Sequence, residues 1–145
     1  MATCWSRGDI RRKLVDSADR FGSSNPQQLK QLRFSLERTD AKEVFFGLLE
    51  TLRSAKSDDF HLQELCGYML WSIRPPVQVP VDQFLRNILP QYELSVEEIP
   101  WYLVHEFGAV PVIAEIEKAK LATSSAAEER ALDTLRYWID RYHDG

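Results

Sequence analysis

Asp40-Ala41-Lys42-Glu43-Val44-Phe45-Phe46-Gly47-Leu48-Leu49-Glu50-Thr51-Leu52 is the stretch on which the fold turns. Its apolar residues Val44, Phe45, Leu48, Leu49 and Leu52 recur at three and four, the period of a helix with one buried face; a half-buried strand would alternate. Asp40 offers an N-cap oxygen and Glu43 follows three residues on, the spacing of a capping box. After a break, a second helix is expected from Asp58, with Leu62, Leu65, Cys66, Met69 and Ile73 inward. The arrangement recurs, because apolar helical stretches that begin at Val44 begin again at Val81 and Val112, successive steps of 37 and 31 residues.

Between the first and second occurrences lies Arg74-Pro75-Pro76-Val77-Gln78-Val79-Pro80. Its prolines exclude helix and restrict the residues before them, so it reads as an extended spacer, with a PxxP ligand as the lesser alternative. Val81, Phe84, Leu85 and Ile88 form the next helix, stopped by Pro90. Leu94-Ser95-Val96-Glu97-Glu98-Ile99 fits a capping box, Ser95 with Glu98, and a hydrophobic staple, Leu94 with Ile99. Pro100 would then stand at the fifth helical position and bend the helix, whose inward stripe is Val96, Ile99, Leu103 and Phe107, ending at Gly108. A seventh helix is expected near Pro111, with Val112, Ile113 and Ile116 inward. The eighth follows a Ser125–Glu128 capping box and buries Ala131, Leu135, Trp138 and Tyr142.

Towards the N-terminus, Asp9 is expected to cap a helix burying Ile10, Leu14, Ala18 and Phe21 and ending at Gly22. Asn25-Pro26 opens another, with Leu29, Leu32 and Leu36 inward. The expectation is one all-α domain over residues 1–145: a flexible tail (1–8), a helical cap (9–38) and three stacked antiparallel helix pairs (40–143). A compact helical bundle is the alternative. Short helix pairs, irregular linkers and prolines at helix starts make residues 40–143 similar to the HEAT-like α-helical repeat family, an architectural resemblance that implies an α-solenoid.

Composition narrows the function classes. Hydrophobic residues make up 44% and charged residues 28% of the 145, near the average for soluble domains, so neither disorder nor a membrane protein is expected. The N-terminus lacks an apolar run and soon meets charge, so no secretory signal is expected and the cytoplasm is the default location. Cys4 and Cys66 are too few for a disulfide framework and read as free thiols. Net charge is −4, but residues 1–40 hold eight Lys/Arg against five Asp/Glu, and residues 41–145 hold ten against seventeen. An acidic repeat region suits a basic protein partner and disfavours a phosphate backbone.

The second helix of each pair carries a further stripe, offset from its core face. Glu64, Tyr68 and Trp71 stand at i, i+4, i+7; Glu98, Trp101 and His105 at i, i+3, i+7, with Tyr102 beside them; Asp133, Tyr137 and Asp140 repeat the first spacing. Each trio shares a helical face. If the pairs stack, the stripes join into an acidic, aromatic surface, and aromatic residues are common interface anchors. The competing expectation is that the rings fill grooves between repeats while the carboxylates are merely solvated.

No enzyme motif is complete. His105-Glu106 begins like H-E-x-x-H, but Ala109 stands where the second histidine should be. His61 and Glu64 share a face without a second matching motif, and Glu97 and Glu98 are accounted for by the helix macrodipole. No cofactor or metal is expected. Arg7, Arg11, Arg12, Lys13 and Arg20 form a basic N-terminal group, but the stripes are acidic, with only Arg130, Arg136 and Arg141 interrupting the acid on the last helix; nucleic acid ranks low as a partner. The leading expectation is a non-enzymatic protein-binding module. Its size and charge are similar to those of bacterial immunity proteins, which implies neutralisation of a basic toxin domain. An adaptor subunit comes second and a DNA- or nucleotide-directed enzyme third.

Overall fold

The computed structural model describes residues 5–56, 58–89 and 91–142. Among these it is all helical: α1 (Arg7–Phe21), α2 (Pro26–Glu37), α3 (Ala41–Ser54), α4 (Phe60–Ile73), α5 (Val81–Ile88), α6 (Glu98–Phe107), α7 (Ala109–Ala122) and α8 (Ala126–Asp140). Cys4, Pro90 and His143 lie outside the described residues.

The helices pack in two rows. Helix α3 packs against α5 and α5 against α7, while α4 packs against α6 and α6 against α8. Helices α3–α4, α6–α7 and α7–α8 cross between the rows. The expected α5–α6 pair does not form as a closely packed hairpin. Helix α5 packs instead on α3 and α7, the connector is held to Gln63 of α4, and α5 and α6 meet through the Phe84 and Tyr102 rings, with centroids 6.0 Å apart. Nor do the first two helices simply close one end: α1 packs against α3 and α2 against α4, so they lengthen both rows, and α1 also touches α4.

Several helix starts differ from expectation, each for a local reason. Helix α1 is capped by Ser6, whose hydroxyl accepts from the Asp9 N–H at 3.1 Å while the Asp9 carboxylate accepts from the Ser6 N–H at 3.0 Å. Asp9 therefore closes a capping box one turn earlier than expected, and Trp5 to Gly8 are not a loose tail. Glu43, expected to complete the cap of α3, instead accepts from the Arg7 backbone N–H at 2.9 Å and from its guanidinium. Helix α6 begins at Glu98, because the Ser95 hydroxyl donates to Glu93 at 2.9 Å rather than capping. Pro100 then falls in the first turn, where its missing N–H has no helical acceptor to lose, so it forces no bend. On α8, Ser125 accepts from the Glu128 N–H as expected, but the Glu128 carboxylate takes the Thr123 hydroxyl at 2.6 Å.

The core runs through both rows, with Ile10, Phe45, Leu48, Met69, Leu70, Phe84, Tyr102, Val112, Ile116, Leu132 and Leu135 among its buried side chains. Burying a side chain such as Phe or Leu contributes about 1.5–3 kcal/mol. Phe21 is exposed and Trp138 only half-buried, both expected inward, because Gly22 ends α1 just after Phe21 and the buried stripe of α8 runs through Leu132 and Ile139 instead. Two glycines set the tightest crossings: a Cβ on Gly47 would lie 2.9 Å from Ile10, and one on Gly67 2.9 Å from Val96. Between α5 and α6 the chain is pinned by Gln63, a buried residue of α4. Its amide donates to the carbonyls of Lys56 and Gln91 at 3.0 and 2.7 Å, and its oxygen accepts from the Glu93 N–H at 2.8 Å.

Candidate functional site

The close crossing at Gly67 brings α4 and α6 side by side and sets their outer residues together. Trp71, near the end of α4, is met edge-on by three rings: Trp101 at 5.9 Å, His105 at 6.1 Å and Tyr142, just past α8, at 5.9 Å between centroids. Edge-to-face contact suits the ring quadrupoles. Trp71 also packs on the core, whereas half-exposed Trp101 rests against Trp71 from outside. The Arg74 guanidinium lies over Trp71, 4.0 Å from its centroid.

Carboxylates border this cluster. Glu98 is half-buried, and burial first, then the charges of Glu64 and Glu97, push its carboxyl above the ordinary range. Glu64 accepts the Ser23 hydroxyl at 2.6 Å, and that oxygen also lies 3.0 Å from the His61 Nδ1. Glu106 accepts from the Val77 N–H at 2.9 Å and stands 3.0 Å from the His105 Nδ1. Among the described residues Glu64, Glu93, Glu97 and Glu98 form no ion pair with lysine or arginine, in contrast to Glu43, Asp133 and Asp140. The local sequence explains this, since no Lys or Arg occurs between Arg86 and Lys118, or between Lys56 and Arg74 around Glu64.

The expected stripes do not all join. Trp71, Trp101 and His105 meet across α4 and α6, and the Glu64 and Glu98 carboxylates interact across the same two helices. Tyr102 does not: it is 0% exposed, and its hydroxyl donates to the Pro75 carbonyl at 2.5 Å, so it is a core residue. Tyr68 turns the other way, into a groove of about 510 Å³ against α2 beside Arg33 and Phe34. The α8 trio is drawn into its own neighbourhood. Asp133 pairs with Lys120 of α7 at 2.7 Å, and Asp140 with Arg136 at 3.1 Å. Tyr137 is 46% exposed but meets Trp138 edge-to-face and lies under Arg141. Row packing turns that face of α8 towards α7, which supplies the countercharge. Tyr142, read from the sequence as core, is instead the residue by which the chain beyond α8 reaches the cluster.

In the Ser23–His61–Glu64 group the serine hydroxyl is buried and donates directly to the carboxylate, so the imidazole is not interposed between nucleophile and acid as in a catalytic triad. Burial pushes the Cys66 thiol well above its ordinary value, away from the reactive thiolate. Among the described residues no three of His, Cys, Asp and Glu are placed to hold a metal ion, and no helix is long and apolar enough to cross a membrane.

Comparison with protein-family models, curated proteins and solved structures returns no match.

Proposed function

We propose that the chain is a non-enzymatic binding module that receives a basic protein partner on the surface formed by α4 and α6. The observation that carries this reading is the coincidence of a half-exposed tryptophan pair, Trp71 and Trp101, with Glu64, Glu97 and Glu98, which form no ion pair with lysine or arginine among the described residues. Carboxylates without countercharge raise the local negative potential and steer a basic partner, and the rings supply contact area that holds it. Residues 40–108 hold eleven Asp/Glu against five Lys/Arg, so the field of this region is acidic as a whole. A basic toxin domain neutralised by coverage is the narrower form of the proposal, supported by the chain's size and acidity.

The test is association with a basic domain encoded beside this chain, followed at several ionic strengths. The on-rate should fall as salt rises and fall again in the triple variant E64Q/E97Q/E98Q, while Trp101→Ala should raise the off-rate. Association indifferent to both salt and these substitutions would overturn the reading. Binding without inhibition of the partner would favour an adaptor over a neutraliser.

A further inference from the structure

Three of the four groups against Trp71 are rings, and the fourth is a cation from the same chain. Arg74 lies over the indole at 4.0 Å, and its Nε donates to the Trp71 carbonyl at 3.0 Å. It holds this place in a conformation that L side chains disfavour: at φ 55° and ψ 56° it is the one non-glycine among the described residues with positive φ. The backbone after it is fixed, because Pro75 receives the Tyr102 hydroxyl and the Val77 N–H binds Glu106. Arg74 is exposed and makes no ion pair among the described residues, so the indole and the Trp71 carbonyl hold its guanidinium. A planar guanidinium stacks on an aromatic face better than the compact ammonium of lysine.

We infer that the Trp71 face is a receptor for an arginine side chain of the partner, and that Arg74 occupies it in the free protein as an intramolecular stand-in. This rests on the basic-partner reading above. An incoming arginine must displace Arg74, which can swing into solvent about its own side chain while the pinned connector stays in place. Carboxylates around the cluster draw the incoming cation, and the resident one opposes it twice, by filling the ring face and by like charge. Affinity is thereby lowered in proportion to how fully Arg74 holds the site.

The experiment uses the full chain with two variants, R74G and R74N, because glycine and asparagine both tolerate the left-handed region and each removes the guanidinium. The probe is a capped peptide alternating arginine with glycine, compared with its citrulline counterpart, with binding read by calorimetry and tryptophan fluorescence. Both variants should bind the arginine peptide about two- to fivefold more tightly than the unmodified chain, with no gain for citrulline. Equal or weaker binding of the arginine peptide by both variants overturns the inference. If it is overturned while E64Q/E98Q still weakens binding, the surface remains a basic-partner site without a stand-in. If no form prefers arginine to citrulline, both readings fail. Unchanged helical circular dichroism in R74N would exclude misfolding as the cause.

Discussion

The Tyr102 hydroxyl donates to the Pro75 carbonyl at 2.5 Å and so ties the middle of α6 to the proline connector that leaves α4. Both partners are buried. Tyr102→Phe removes the donor and leaves the carbonyl unsatisfied, which should cost about 1–2 kcal/mol in urea denaturation. Tyr102→Ala also opens a cavity and should cost about 3–5 kcal/mol, as for a fully buried aromatic.

The two tryptophans of the cluster should separate by phenotype. Trp71 packs on the core and touches three rings, so Trp71→Ala should lose about 1–3 kcal/mol, below the cost for a fully buried indole. Trp101 rests outside it, and Trp101→Ala should lose only about 0.5–1.5 kcal/mol, the worth of a ring pair. Thermal melts set beside partner binding check this: Trp101→Ala should remain folded at temperatures that melt Trp71→Ala, yet lose the partner.

Glu98 gives a pH signature. Its folded pKa is raised by burial above the ordinary value of 4.5, so the folded state holds the proton more tightly than the unfolded chain. Stability from this group is therefore present below 4.5 and is lost as pH rises through the raised folded value. Glu98→Gln cannot ionise and should gain stability relative to the unmodified chain across that rise. The opposite sign would apply to Glu43, whose carboxyl the hydrogen bonds and charge of Arg7 lower; its contribution is present above 4.5 and is lost as pH falls through the lower folded value. Denaturation midpoints of Glu98→Gln and Glu43→Gln, followed from well below pH 4.5 up to neutral pH, measure the two signs.

Gly47 and Gly8 should respond oppositely to alanine. At Gly47 the new Cβ would meet three atoms of fully buried Ile10 within 3.0 Å. Overpacking of about 1–3 kcal/mol should outweigh a helix-propensity gain of up to about 1 kcal/mol. At Gly8, in the first turn of α1, the nearest atom is 3.8 Å away, so Gly8→Ala should be neutral or slightly stabilising. Chemical denaturation of the two variants decides the sign at each.

Helix positions were legible because apolar periodicity and cap residues are local. Asn25-Pro26 and Ser125 act as their spacing implies, while Ser6 displaced Asp9 because both residues have cap chemistry and only the geometry of the turn chooses between them. Pairing was less legible. That α5 lies along α3 and α7 rather than α6 depends on how the Gln91–Glu97 segment is pinned, and those hydrogen bonds reach back to residues about thirty positions earlier. At the candidate site, helical spacing placed Trp71, Trp101 and His105 on outer faces. It could not tell that α7 would supply Lys120 to Asp133, nor that Tyr102, one position from Trp101, turns inward. The sequence signal for Arg74 is an arginine before two prolines, three residues after a tryptophan, at the end of a helix.

Gln63, whose amide N–H and oxygen engage Gln91 and Glu93 of the α5–α6 connection, bears on how the chain meets a protease. The Gln91–Glu97 segment has no regular structure, the usual mark of a nicking site, but an enzyme must first draw its backbone away into an extended form. Doing so would break the Gln63 bonds to Gln91 and Glu93 and the bond from Gln91 to the Leu52 carbonyl together. Limited digestion should therefore leave this connection intact while the fold persists, and cleavage there would report global unfolding rather than local breathing.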